Sequence, residues 1–151
     1  MRCVLVGFNG SDCALAAVLR ARDIALERAA RLHILSVATV PAFGFDACMD
    51  DVMEQQIAHC EAALQSLKAR LPETRDMIRL SLRIGDPWRE VVDYAAEYGA
   101  GEIVVGCRRQ WFQRWPASRV VRRIVAHAPC AVTVVMNQRY APLTSPRGAI
   151  A

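Results

Sequence analysis

Short apolar runs alternate along the chain with longer stretches in which apolar residues return every three or four positions. Val4-Leu5-Val6 stops at Gly7-Phe8-Asn9-Gly10-Ser11, and Ser11 or Asp12 can cap a helix reaching through Arg31. Along that helix Ala14, Ala17, Val18, Ala21, Ile24, Ala25 and Leu26 keep the helical period that marks a buried stripe. His33 to Ala38 reads as a second strand, so the first segment is a βαβ unit with a right-handed crossover. Thr39 to Asp50 holds Pro41, Gly44 and two phenylalanines, a loop long enough to reach over a neighbouring crevice. A second helix is predicted from about Asp51 to Arg70, ended by Pro72. In Met77 to Ile84 the apolar residues Ile78, Leu80, Leu82 and Ile84 alternate with polar ones, as in a strand near a sheet edge.

Gly85-Asp86-Pro87 turns the chain, and Pro87 suits the first turn of a helix running to about Tyr98 and closed by Gly99 to Gly101. Ile103 to Gly106 is a fourth strand, Ala117 to His127 a last helix, and Cys130 to Met136 a fifth strand. Regular alternation of this kind predicts one α/β domain over residues 1–136, a five-stranded parallel sheet with helices on both faces. The tail, residues 137–151, holds Pro142, Pro146 and Gly148 without any period and is expected to be disordered.

Composition narrows the setting. No stretch approaches the ~18 to 20 apolar residues of a membrane span, so no membrane association is expected. Met1-Arg2 leads straight into a strand-like run instead of an export signal, and a cytoplasmic location is expected. The six cysteines are scattered without a C-x-x-C pair, which supports neither a metal site nor a thiol redox motif, and a reducing compartment fits. Arg108 and Arg109 would favour the thiolate of Cys107, whereas the preferred reading is a buried thiol at a strand end.

Charge is divided sharply. Residues 1–102 contain all 15 acids against 11 basic residues, a net of −4, whereas residues 103–151 contain eight arginines and no acid, a net of +8. Two readings stay open: an anionic partner, or arginines that pair with carboxylates of the first half. Catalytic signals are missing. His33 falls in a strand, His59 on a helix face and His127 at a helix end, where charge suits the helix dipole. Gly10-Ser11 reads as a turn and cap, and no nucleophile elbow or metalloprotease motif occurs, so no enzymatic activity and no metal are expected.

Three pieces in register resemble the universal stress protein family. Val4-Leu5-Val6-Gly7-Phe8-Asn9-Gly10-Ser11 is similar to its L-V-x-V-D-G-S opening. Gly85-Asp86-Pro87, with Gly99-Ala100-Gly101-Glu102-Ile103-Val104-Val105-Gly106 beyond the helix, resembles G-D-P … G-A-D-L-I-V-M-G. Val120 to Val135 resembles the V-x-x-x-V-x-x-H-A-P-C-P-V-x-V-V close. The resemblance implies an adenine-nucleotide-binding-like α/β fold, dimerisation through the last strand, and a role in surviving starvation, oxidative and other stresses.

One class of that family binds ATP through G-x-x-G, nine residues, then G-S or G-T, glycines letting backbone amides approach phosphate at a helix N-terminus. Here Gly106 matches the first glycine, but Arg109 stands at the second, and either register leaves Ser118 and Arg119, or Arg119 and Val120, at the last pair. Asn9 replaces the aspartate that the family turns toward nucleotide. The segment from Gly106 to Ser118, with Trp111, Phe112 and Trp115, is instead similar to the polar and aromatic loop of the UspA-like class, whose members are thought not to bind ATP.

The resemblance therefore implies a non-enzymatic, dimeric UspA-like protein acting through protein partners. The alternative is a divergent ATP- or AMP-binding module in which arginine forks replace the glycine nest, with Asn9, Val37, Gly106, Arg109, Ser118 and Arg119 around the crevice. No cofactor is expected on the first reading, and nucleic acid is not an expected partner. The last strand is apolar and uncharged, an aggregation hazard if left at an open edge, and Val132, Val134 and Met136 are the expected homodimer contacts.

Overall fold

A computed structural model describes residues 2–40, 49–108 and 119–137. Its strands are β1 (Cys3–Gly7), β2 (Arg31–Thr39), β3 (Ile78–Gly85), β4 (Ala100–Arg108) and β5 (Ala131–Asn137), and its helices α1 (Asp12–Glu27), α2 (Met49–Arg70), α3 (Pro87–Tyr98) and α4 (Arg119–His127). A short 3-10 segment, Pro72–Met77, links α2 to β3. The strands form one parallel sheet in the order β3-β2-β1-β4-β5.

The order explains the strand compositions. Central β1 is covered on both faces, so Cys3, Val4, Leu5 and Val6 are all apolar and at most 1% exposed. β3 lies at an edge, as its alternation predicts, and most of its side chains are only half-buried. On one face Val4, Val6, Ile34 and Val104 pack with Ala17, Val18 and Ile24 of α1 and Leu64 and Leu67 of α2. On the other, Leu5, Leu35, Ile103 and Val105 pack with Val91 and Tyr94 of α3 and Ile124 of α4. Each such aliphatic side chain contributes roughly 1.5–3 kcal/mol on burial.

Several boundaries differ from the sequence expectation, among them that β2 spans Arg31–Thr39 and β4 runs on to Arg108. α1 ends at Glu27, not Arg31, because Ala29 takes a left-handed φ of 49° and Ala30 N–H reaches back to Ala25 C=O at 2.9 Å. With Ala29 N–H donating to Leu26 C=O, this is a Schellman turn, and it frees residues 30 and 31 to start β2 beside Cys3. Leu26, counted in the stripe from sequence, lies well round the helix from Ala14, Ala17, Ala21 and Ala25 and is 51% exposed. β4 begins at Ala100, within the Gly99 to Gly101 stretch expected to close the preceding helix, because Ala100 pairs with Cys3 of β1, and α2 is described from Met49. The last helix is described only from Arg119, and the tail beyond Asn137 lies outside the described residues.

Candidate functional site

β2 and β3 lie on one side of β1, and β4 and β5 on the other, so the chain changes direction between β1 and β4. The crevice beyond the carboxyl ends of those two strands is where open parallel sheets hold ligands. A cavity of about 310 Å³ opens there. Asn9 and Ser11 line it after β1, Val37 and Thr39 at the end of β2, Gly106 and Cys107 on β4, and Val120 and Val121 in the first turn of α4.

Asn9, Val37 and Gly106 of the sequence-derived site thus meet on one cavity. Arg119 is exposed at the start of α4, one residue before the wall formed by Val120. Arg109 and Ser118, together with Trp111, Phe112 and Trp115, lie outside the described residues.

Two polar groups on the wall are engaged locally. Asn9 Oδ1 accepts from Ser11 N–H at 3.0 Å, and Ser11 Oγ accepts from Ala14 N–H at 3.2 Å, capping α1. Gly10-Ser11 is a turn and a cap. No charged side chain lines the cavity among the described residues. Cys13 and Cys107 both border it and both are buried. Burial, followed by the nearby Cys13, pushes the Cys107 thiol above its ordinary range, the opposite of thiolate activation by Arg108 and Arg109.

Gly106 has a structural duty that the phosphate motif does not suggest. A Cβ there would stand 2.2 Å from the Cys13 carbonyl oxygen and 2.5 Å from its carbon. The end of β4 therefore lies directly against the first turn of α1, a contact open only to glycine.

A second polar cluster lies lower in the sheet, beneath α3. His33 Nδ1 is 3.0 Å from Tyr94 Oη, which is 2.9 Å from Ser81 Oγ. Tyr98 stacks on Tyr94 with centroids 4.3 Å apart, and Arg79 lies over Tyr98 while donating to its hydroxyl at 3.1 Å. Burial, then Arg79 and Arg31, lowers the His33 pKa and keeps the ring neutral. Sequence periodicity cannot reveal the partner that Tyr94 finds on another element. The cluster is closed by its own hydrogen bonds, and His33 acts as a core residue. His127 serves the end of α4, with Nδ1 2.9 Å from the Arg123 carbonyl oxygen.

Among the described residues no group of three or more His, Cys, Asp and Glu could hold a metal ion, and no helix is long and apolar enough to cross a membrane.

The fold has counterparts in known proteins. A universal stress protein from Methanocaldococcus jannaschii, MJ0531, is 27% identical over 143 residues, covering 90% of this chain and 82% of its own. The solved universal stress protein UspA from Lactobacillus plantarum is 25% identical with a TM-score of 0.75, covering 89% of this chain and 97% of that one. A universal stress protein solved in complex with cAMP is also 25% identical, with a TM-score of 0.58 and coverage of 89% and 95%. The sequence model of the universal stress protein family matches residues 1–136, the span of all five strands but for the final residue of β5, and the chain belongs to that family.

Proposed function

We propose that the chain is a UspA-like stress-response protein, a homodimer that works without catalysis by meeting protein partners. The observation that carries this reading is the chemistry of the crevice wall. A nucleoside triphosphate needs cations or free amides, and among the described residues the wall carries no charged side chain, with its Asn9 oxygen and Ser11 hydroxyl already committed to the turn and cap of α1. The missing second and third glycines at Arg109 and at Ser118 or Arg119 point the same way.

A second reading, an adenine-nucleotide module, is favoured by the volume of the crevice and by the relative solved with cAMP. Acid extraction of freshly purified protein, followed by chromatography of the released nucleotides, separates the two. The expected result is no stoichiometric nucleotide; an equimolar adenine nucleotide would overturn the UspA-like reading.

Homodimerisation is proposed through β5. It is an edge strand of the sheet, Ala131 and Met136 are exposed, and Val132 and Val134 are half-buried. Pairing with the same strand of a second copy covers its open backbone. Met136, 43% exposed, is the residue to charge without opening the core. Met136→Lys should shift the protein toward monomer in light scattering, and an unchanged dimer would refute this interface.

A further inference from the structure

α3 and α4 pack side by side on one face of the sheet, and the surface they share is cationic. On α4 the buried residues are Val121 and Ile124, so Arg119, Arg122 and Arg123 fall toward the outward side of the helix. No acid lies anywhere in α4. Of the three acids of α3, Glu90 and Glu97 both engage Arg83 of β3, and Asp93 is exposed one turn beyond Arg89 without an ion pair to it.

Trp88 stands where the two helices meet. The guanidinium carbons of Arg89 and Arg123 each lie 5.3 Å from its ring centroid, and the His127 ring is 4.8 Å away. Attraction to the indole face holds these cations in place. Among the described residues, Arg89, Arg119 and Arg123 enter no ion pair with a carboxylate; the described pairs use Arg22, Arg28 and Arg83. Arg119 and Arg123 of α4 thus do not answer to the described acids of the first half. The face holds ordered positive charge in search of an external counter-charge.

The indole also decides which anion fits. Trp88 is half-buried and covered by two guanidiniums and an imidazole, so it offers no open ring on which a nucleic-acid base could stack. Recognition here is by charge along the helix, which suits a run of carboxylates. We propose that the α3–α4 face docks an acidic segment of a partner protein through Arg89, Arg119 and Arg123. This rests on the partner-binding reading above and gives that partner its chemistry.

The test is fluorescence anisotropy of a labelled oligoglutamate peptide with the full chain, beside an oligothymidylate probe. Saturable peptide binding that weakens with added salt is expected, falling roughly tenfold or more in Arg89→Glu/Arg119→Glu, both positions being exposed. Arg89→Lys and a distant reversal, Arg20→Glu on α1, should keep it. Thermal melts of each variant separate loss of charge from loss of fold. Peptide affinity indifferent to the double reversal, or oligothymidylate binding tighter than the peptide, would overturn the proposal. Failure here with an empty crevice removes this surface and leaves the UspA-like reading standing, whereas nucleotide in the crevice removes that reading itself.

Discussion

Gly106 and Cys13 touch backbone to backbone: the missing Cβ of the glycine would lie 2.2 Å from the cysteine carbonyl oxygen. This contact sets how closely β4 approaches α1 at the rim of the crevice, and it gives Gly106 a reason to be glycine whether or not phosphate is bound. Gly106→Ala should destabilise the fold by about 3 kcal/mol, because the obstacle is backbone and not a side chain able to swing away. Gly7, also on the crevice rim, would place its Cβ 3.9 Å from Val91 Cγ2, an ordinary contact. Gly7→Ala should therefore cost less than about 1 kcal/mol. Urea midpoints of the two variants check the contrast; equal losses would mean that the close approach is not what holds β4 against α1.

Ala29 holds a left-handed φ of 49° in the turn that ends α1. An L residue with a Cβ pays about 1–2 kcal/mol for that conformation, and glycine avoids it while leaving both turn hydrogen bonds intact. Ala29→Gly should raise stability by about 1 kcal/mol, measured as a higher midpoint in chemical unfolding.

His33 makes stability depend on pH. Its folded pKa lies below its ordinary value of about 6.5, so the unfolded chain binds the proton more readily. The His33 contribution is complete above pH ~6.5 and declines as pH falls from there toward the folded pKa, with a limiting slope near 1.4 kcal/mol per pH unit. Replacing it by His33→Gln should flatten that part of the stability profile. The check is urea unfolding of both proteins across the weakly acidic range; parallel profiles would show that His33 does not titrate differently on folding.

Cys107 should label slowly. Burial raises its thiol pKa and covers its sulfur, whereas Cys60 on α2 is half-buried at the surface. Brief alkylation near neutral pH, read by peptide mass spectrometry, should modify Cys60 well before Cys107. The reverse order would restore the thiolate that Arg108 and Arg109 suggest from sequence alone.

Much of the architecture is legible in the sequence because hydrophobic period and turn residues report on local structure. The uninterrupted Val4-Leu5-Val6 and the alternating Ile78 to Ile84 already distinguish a central strand from an edge strand. What escaped depends on tertiary contacts. The bond between His33 and Tyr94 joins positions 61 apart and exists only once β2 and α3 are placed. At the crevice, Asn9 and Gly106 are legible through the family motif and Val37 through its place near the end of the second strand, while Arg109 and Ser118 lie outside the described residues. The clash that makes Gly106 obligatory has no sequence signal, since a motif glycine looks the same whether a phosphate or a helix presses against it.

The central claim is that the crevice has exchanged nucleotide binding for another task. Titration calorimetry of the full chain with ATP and AMP tests it directly, with Val37→Trp filling the crevice from β2 as the control, because a bulky residue at Gly106 would strike the α1 backbone. The expected result is no binding heat up to roughly millimolar nucleotide in either protein. Micromolar binding by the wild type that disappears in Val37→Trp would contradict the claim and make the crevice a divergent phosphate site.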